Sequence, residues 1–382
     1  MKTPVVVLYG GQSSEHDVSL VSAKFALEHL DRDLFDVYFI GITRSGSWFW
    51  QNIESLDLHD KKEPLPIFEN QPVFSRPDLA HRFYHGPLDV LVQHVADHRG
   101  ALVEPSEICF FPFSHGQHVE DGHLQGMLEL SGYGFVGPDT RASAIGMDKT
   151  LCKKLAETVG ISVVPYVAVQ RTDWDKNSEV ICQSITEKLG TKLFIKPNSL
   201  GSAVGVYKID QATELKGAVE RALGYDRVVL VEKAVAAREI ECAALGGYEP
   251  EISIPGEVNP TGEFYSYDAK YKDAEGAKIL IPAALSPEET SEIQLKSKLI
   301  YETLGLYGMS RIDWFLDRDT KAVYFNEVNT LPGMTSISQY PLLWKHGGVD
   351  GSELLTRLVE LGLERARDVK RYIQASPEQP LG

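Results

Sequence analysis

The chain reads as an α/β protein of several domains: an open parallel α/β unit at its N-terminus, then smaller α+β units toward its C-terminus. Three observations predict this class. Residues 4–9 form a near-continuous apolar run that ends at Gly10-Gly11, the pattern of a strand buried on both faces of a parallel sheet. Residues 18–30 read as a helix carrying Val18, Val21, Phe25 and Leu27 among polar residues, and 35–42 return as a strand, which completes a βαβ unit. Finally, 382 residues are enough for two or three separate cores.

Composition narrows the class of partner. With 43% hydrophobic and 24% charged residues the chain has the make-up of a soluble globular protein. Its net charge of -16 argues against nucleic acid or an anionic membrane as partner. An anionic substrate would need a local basic pocket, for which Lys149, Lys196, Lys270 and Arg311 are candidates. Cys109, Cys152, Cys182 and Cys242 lie far apart without a CxxC pair, so they read as reduced thiols and neither a disulfide framework nor a zinc site. The opening apolar run is too short for a signal peptide, and no 18-residue apolar stretch follows; the expected location is cytoplasmic.

Taken in order, the first βαβ unit has no GxGxxG and no acidic residue closing its second strand, so a dinucleotide site is unsupported. Glu15 sits in the loop after the first strand, where open α/β sheets bind ligands, although a carboxylate there equally serves a helix start. Residues 57–82, with Pro64, Pro66, Pro72 and Pro77 among scattered charge, read as an irregular insertion. Strands are expected at 88–95 and 108–113. His115 then stands at a strand end before Glu120-Asp121-Gly122 and a helix running to Leu130. Pro138-Asp139 opens a short helix and marks a domain boundary, and Met147-Asp148-Lys149 opens a longer helix that stops at Gly160. The strand 193–197 carries Lys196 at its end, and a small glycine-containing loop, 198–205, leads to a strand at 206–209. Such a loop can fold over phosphates through backbone N–H groups or be an ordinary hairpin connection. Further strands are expected at 228–232, 238–245 and 251–255. Residues 263–282, rich in tyrosine and lysine, are the best lid candidate. Helices follow at 288–304 and 354–372.

The stretch 309–338 organises the rest. Two strands, 310–316 and 322–328, flank the turn signal Asp317-Arg318-Asp319-Thr320. A hairpin centred near Asp319 places Arg311 opposite Glu327 and Asp313 opposite Phe325. Arg311, Asp313, Glu327 and Asn329 then share one face, because side chains alternate along a strand. A solvated outer face is the bland alternative. Trp314, Phe315, Tyr324 and Phe325 argue for burial, and buried charge must be paired or bound to metal. Hard oxygen donors of this kind suit Mg²⁺ alongside substrate phosphates.

The motifs then fall into one order. They are Gly10-Gly11-Gln12-Ser13-Ser14-Glu15-His16-Asp17-Val18-Ser19, His115-Gly116 with Glu120-Asp121-Gly122, and Met147-Asp148-Lys149. Next come Lys196-Pro197 with Gly201-Ser202-Ala203-Val204-Gly205, Arg238-Glu239-Ile240-Glu241, and Tyr267-Asp268-Ala269-Lys270-Tyr271. Last are Arg311-Ile312-Asp313 and Asn326-Glu327-Val328-Asn329-Thr330-Leu331-Pro332-Gly333-Met334-Thr335. Over essentially its full length the chain resembles the ATP-grasp fold and, within it, the D-alanine–D-alanine ligase family in its longer form.

The resemblance implies a substrate-binding N-terminal domain (1–138), a central ATP-grasp subdomain (139–234) and a C-terminal subdomain (235–382) with the lid and metal site. It implies that Lys149 and Lys196 contact ATP phosphates, that Glu232, Lys233, Ala234 and Val235 meet adenine, and that Glu239 meets the ribose. Asp313, Glu327 and Asn329 would hold two Mg²⁺, with Mn²⁺ as a substitute. Lys270 would reach the γ-phosphate; Glu15, Val18 and His115 would line the first D-alanine subsite, and Ser338 would bind the second carboxylate. Arg311 and the Gly333 N–H would stabilise a tetrahedral oxyanion. Ser202, Tyr271 and Glu15 would form a trio linking glycine loop, lid and N-terminal domain. Lys270-Tyr271 points to D-alanine as second substrate. D-lactate or D-serine ligation, and a non-catalytic nucleotide sensor, are the competing readings. The partners implied are small molecules and a second copy of the chain in a homodimer. Two departures stand out: Gln117-His118-Val119 lacks the small residue or glycine usual before Glu-Asp-Gly, and Ala203 replaces a second serine.

Overall fold

The computed structural model describes residues 2–53, 64–73, 89–100, 102–260 and 277–374. Strand β1 (Thr3–Gly10) runs into helix α1 (His16–His29) and returns as β2 (Phe35–Ile42), followed by β3 (Trp48–Gln51). Helix α2 (Asp89–Arg99) then leads to β4 (Cys109–Pro112), α3 (His123–Leu130) and β5 (Gly134–Phe135). These strands form one sheet in the order β3-β2-β1-β4-β5, parallel except for β3. β1 is buried along almost its whole length, as its unbroken apolar run requires.

Residues 88–95 were expected as a strand; from Asp89 they are the start of α2. A short apolar run fits either state by periodicity. Here Val95 packs into the core and His94, a position the alternation would send elsewhere, stacks on Trp50 with ring centroids 3.9 Å apart. Of the expected insertion 57–82, residues 57–63 and 74–82 lie outside the described residues. The remainder runs beside β3, where Trp50 N–H donates to the Gln71 carbonyl.

The middle of the chain holds α4 (Thr140–Met147), capped by Asp139, and α5 (Lys149–Thr158), capped by Asp148. Strand β6 (Tyr166–Gln170), α6 (Arg171–Leu189), β7 (Leu193–Pro197), β8 (Tyr207–Ile209), α7 (Ala212–Ala222) and β9 (Val228–Lys233) follow. Their antiparallel sheet has the order β6-β9-β7-β8 and is covered by α6 and α7, with Trp174, Ile185, Leu215 and Val219 in its core.

The last part contains β10 (Ala237–Gly246), β11 (Glu251–Ile252), β12 (Gly256–Pro260), β13 (Ala277–Leu280), α8 (Pro287–Thr303), β14 (Gly308–Asp317), β15 (Val323–Asn329), α9 (Gln339–His346) and α10 (Gly351–Gln374). The antiparallel order is β13-β12-β10-β14-β15, with β11 paired to β10. Helix α10 leaves this sheet and packs on β4 and β5. Arg365 fastens it there by donating to the Gly137 and Phe135 carbonyls at 2.6 and 2.7 Å, and Gly362 admits the close approach, since a Cβ would stand 2.7 Å from the Phe135 oxygen.

The β14–β15 register differs from the expected one. Arg311 faces Asn329 and Asp313 faces Glu327, and a bulge after Asp313 then sets Trp314 opposite Phe325. Asn326 is the extra residue. A hairpin counted without the bulge is out by one position at the site end, and centring the turn at Asp319 adds a second; the total of two leaves the four polar residues on their shared face but changes their partners.

Candidate active site

Loops from all three sheets converge at the C-terminal ends of β1 and β4. These adjacent strands have their helical connections leading away to opposite sides, which is the switch point where open α/β sheets hold ligands. After β1, Gly10 N–H donates to Ser19 Oγ at 2.7 Å, and Ser13 Oγ donates to the His115 carbonyl at 2.6 Å. The two loops are therefore tied together. Gly116, at φ +79°, lets Glu15 approach: a Cβ there would lie 2.8 Å from Glu15 Oε2.

His115 is buried and both ring nitrogens are engaged. A carbonyl can only accept, so Nδ1–H donates to the Leu331 oxygen (3.1 Å), and Nε2 of the neutral ring accepts from Ser22 Oγ (3.1 Å). Burial lowers its pKa in spite of Glu15 nearby, which keeps the ring neutral. Glu120 accepts from Gly116 N–H (2.6 Å) and Leu331 N–H (3.3 Å), so it joins the N-terminal loop to the segment after β15. Burial and the Glu15 carboxylate push its pKa up to about 8.

Across from these loops lies the turn 198–205. Ser202 and Ala203 both take left-handed backbone conformations, φ +52° and +55°, which costs roughly 1–2 kcal/mol per residue for L-amino acids. The bend carries Ser202 Oγ to Glu15, to which it donates. Below the turn, three charges are sealed together. Glu232 accepts from Lys153 Nζ (2.7 Å) and Lys196 Nζ (2.5 Å), and Lys153 has no exposed side-chain surface. Burial alone would raise the Glu232 pKa, but the two lysines hold it down at about 2. Lys196 Nζ also donates to Asn326 Oδ1 at 3.4 Å.

The opposite sign prevails on the hairpin. Arg311 donates through Nε and Nη2 to the two oxygens of Asp313, each at 2.8 Å, and its Nε lies 2.9 Å from Glu241. Burial works against the guanidinium charge, yet Asp313 and Glu241 hold its pKa well above the ordinary range. Asn329 Nδ2 donates to Asp313 Oδ2 at 2.9 Å, which leaves its carbonyl oxygen as a ligand atom. Lys149 bridges the two clusters, 3.2 Å from Glu327 and donating to the Leu200 carbonyl at 2.7 Å. An imbalance toward cation beside an imbalance toward anion can take phosphate on one side and metal on the other.

Comparison with known proteins decides the family. Residues 4–138 match the model of the D-ala D-ala ligase N-terminus, and residues 155–360 that of the D-ala D-ala ligase C-terminus. The chain belongs to the D-alanine–D-alanine ligase family. It is 40% identical to the D-alanine–D-alanine ligase of Clostridium novyi (strain NT), over 96% of this chain and 99% of that one. It is 38% identical to D-alanine–D-alanine ligase A of Escherichia coli (strain K12), over 95% and 96%. Among solved structures, the Coxiella burnetii D-alanine-D-alanine ligase superposes with a TM-score of 0.76 at 29% identity, covering 98% of this chain and 97% of that one. The VanG D-Ala:D-Ser ligase from Enterococcus faecalis superposes at 0.75 with 34% identity, covering 95% and 100%. The fold is therefore ATP-grasp, and this family of ligases is ATP-dependent and uses divalent metals.

Within this ligase, Glu15 meets Ser202, Lys149 meets Glu327, Arg311 and Asn329 meet Asp313, Lys196 meets Glu232 and Asn326, and His115 meets Leu331, two residues before Gly333. Val18 lies in the first turn of α1, one turn past Glu15. Ser338 precedes α9 and accepts from Thr335 N–H at 3.0 Å, with its Oγ near Gly333. Lys233 and Ala234 spend their N–H groups on Pro165 and Lys192. Lys270, Tyr271 and residues 263–276 of the expected lid 263–282 lie outside the described residues, while Ala277–Leu280 of that stretch is strand β13, paired with β12. Sequence reasoning missed Lys153 and gave no part to Glu120 or Glu241. The signal for Lys153 was its place one helical turn after Lys149; for Glu241, its cross-strand position opposite Asp313. No helix among the described residues is long and apolar enough to cross a membrane.

Proposed function

We infer that this ligase joins two D-alanines, activating the first as an acyl phosphate at the expense of ATP, for peptidoglycan precursor synthesis in the cytoplasm. The observation that carries the reading is the pair of oppositely unbalanced charge clusters joined by Lys149 and Glu327. Lys149 and Lys196 would bind the ATP phosphates and Lys270 the transferring γ-phosphate. Glu232 fixes Lys196 from below, the segment Lys233, Ala234, Val235 meets adenine, and Glu239 meets the ribose. Asp313, Glu327 and Asn329 are all hard oxygen donors on adjacent strands and fit two Mg²⁺, or Mn²⁺ in their place. Bound there, the ions would screen charge building on the phosphates.

Glu15 and Val18 position the ammonium and body of the first D-alanine, beside the neutral ring of His115. Ser338 receives the carboxylate of the second. Its amine attacks the carbonyl of the acyl phosphate, the tetrahedral oxyanion forms between Arg311 and the Gly333 N–H, and its collapse breaks the C–O bond and releases phosphate; losing one such donor costs about 2.7–4 kcal/mol. Arg311, held by Asp313 and Glu241, is already oriented before the charge develops. Tyr271 with Ser202 and Glu15 closes the site against water, which would hydrolyse the acyl phosphate. The three domains proposed for these roles are 1–138, 139–234 and 235–382, in a chain that acts as a homodimer.

The likeness to a D-Ala:D-Ser ligase favours D-serine as the second reading for the second subsite. Incubation with MgATP and D-alanine, in competition with D-serine and D-lactate, with products weighed by mass spectrometry, decides between them. D-Alanyl-D-alanine should dominate. A mixed product would overturn the specificity. Absence of phosphate release with every pair would overturn catalysis and leave a nucleotide sensor.

A further inference from the structure

The departure at Gln117-His118-Val119 has a structural counterpart on the outer side of the same loop. His118, Asp121 and His123 place one ligand atom each within 4.8 Å of one another. The backbone holding them is fixed from both ends. Gly116 O accepts from Val119 and Glu120 N–H, His118 O accepts from Leu124 N–H, and Gln125 Nε2 donates to Val119 O at 2.7 Å. His118 takes φ +69°, a left-handed position that turns its ring toward His123, with ring centroids 5.4 Å apart. Asp121 accepts from His118 N–H (2.8 Å) and, at its other oxygen, from His123 N–H (3.3 Å) and the His123 ring at Nδ1 (2.8 Å).

We propose that His118, Asp121 and His123 bind a transition-metal dication of the zinc class at a second metal site, separate from the catalytic carboxylates. Metal–nitrogen and metal–oxygen bonds of about 2.0–2.2 Å set tetrahedral ligand atoms roughly 3.3–3.6 Å apart, close to the separations of a trio whose ligand atoms already lie within 4.8 Å of one another. Two imidazoles and one carboxylate suit zinc, copper or nickel, and magnesium poorly. The excess Mg²⁺ that the ligation reaction requires therefore does not compete. Asp121 also supplies the negative charge that a cation needs beside the N-terminus of α3, whose dipole opposes it. With three protein ligands, a fourth position stays open to water. The loop bearing the site also carries Glu120, which reaches inward to Gly116 and Leu331, so occupancy is expected to be felt in the first amino-acid subsite. The site stands whatever the second substrate proves to be.

The test is Zn²⁺ binding to the untagged full chain in excess Mg²⁺, by competition with a chromophoric chelator, with Co²⁺ as a visible-spectrum probe. One equivalent should bind, and Co²⁺ should show the intense bands of a four-coordinate site. His123→Ala should weaken the binding about tenfold or more. His118→Asn, which removes the imidazole but tolerates the left-handed backbone, should do the same, while Asp313→Asn leaves it in place. Binding that survives both histidine variants, binding abolished only by Asp313→Asn, or no saturable binding would each overturn the proposal.

Discussion

Glu232 and Glu120 are carboxylates drawn away from water on opposite walls of one cleft, and they respond in opposite directions. Glu232 lies between Lys153 and Lys196 and titrates near 2; Glu120 faces Glu15 across Gly116 and is pushed up to about 8. Burial penalises both charges, so the neighbours decide the sign. The central wall has a cation to spare and waits for an anion. The N-terminal wall has the Glu15 carboxylate, a Glu120 held largely protonated at neutral pH and a neutral histidine, and suits a cation. The amino acid proposed to bind here, with its ammonium at Glu15 and its activated carboxyl toward the lysines, would satisfy both.

The contrast breaks most severely at Glu232. Glu232→Gln should leave buried Lys153 and half-buried Lys196 without their nearest counter-charge and lower unfolding stability by about 3 kcal/mol, measured by denaturant titration at neutral pH. The pH dependence gives a second readout. A depressed carboxylate contributes stability that is complete above its unfolded pKa of 4.5 and is lost as pH falls toward about 2. The variant should lose that acid limb.

Next comes Glu15→Gln. Removing the charge proposed to meet the substrate ammonium should raise KM for the first D-alanine by about 2 kcal/mol, roughly 30-fold, with KM for ATP little changed in steady-state kinetics. Glu120→Gln tests the other sign. A raised carboxylate contributes stability that is complete below 4.5 and lost as pH rises through about 8. Wild-type Tm should therefore fall across that window more than the variant's does, by an amount equal to about 1 kcal/mol once solvent screening at this partly exposed group is allowed for. An identical slope in both proteins would remove Glu120 from the comparison. Smallest is Ser202→Ala, which cuts the bond to Glu15 and should cost about 0.5–1 kcal/mol, seen as a two- to five-fold rise in KM for D-alanine.

Much of this was readable beforehand. The strand at 35–42, the caps at Asp139 and Asp148 and the shared face of Arg311, Asp313, Glu327 and Asn329 follow from local pattern, which the packing did not override. Residues 88–95 were not legible as a helix, because a short apolar run carries no period of its own and Trp50 chooses the outcome from far along the chain. Lys153 was hidden for another reason. An isolated lysine reads as surface, and only the pairing of β9 with β7 reveals the carboxylate that lets it be buried. The Glu120 contact with Leu331 spans a separation in sequence that no motif expresses.

The bulge after Asp313 has a consequence for how this hairpin tolerates change. Alternation along a strand is a two-stroke rhythm, and Asn326 is an extra beat. It lets Glu327 face the cleft while Phe325, two positions away and otherwise bound to the same side, turns into the core against Trp314. Chemistry and packing thus run out of step on one strand, with Asn326 keeping the count for both. Losing that one residue would not merely shorten the strand; it would point an aromatic ring where the cleft needs oxygen, or a carboxylate where the core needs a ring.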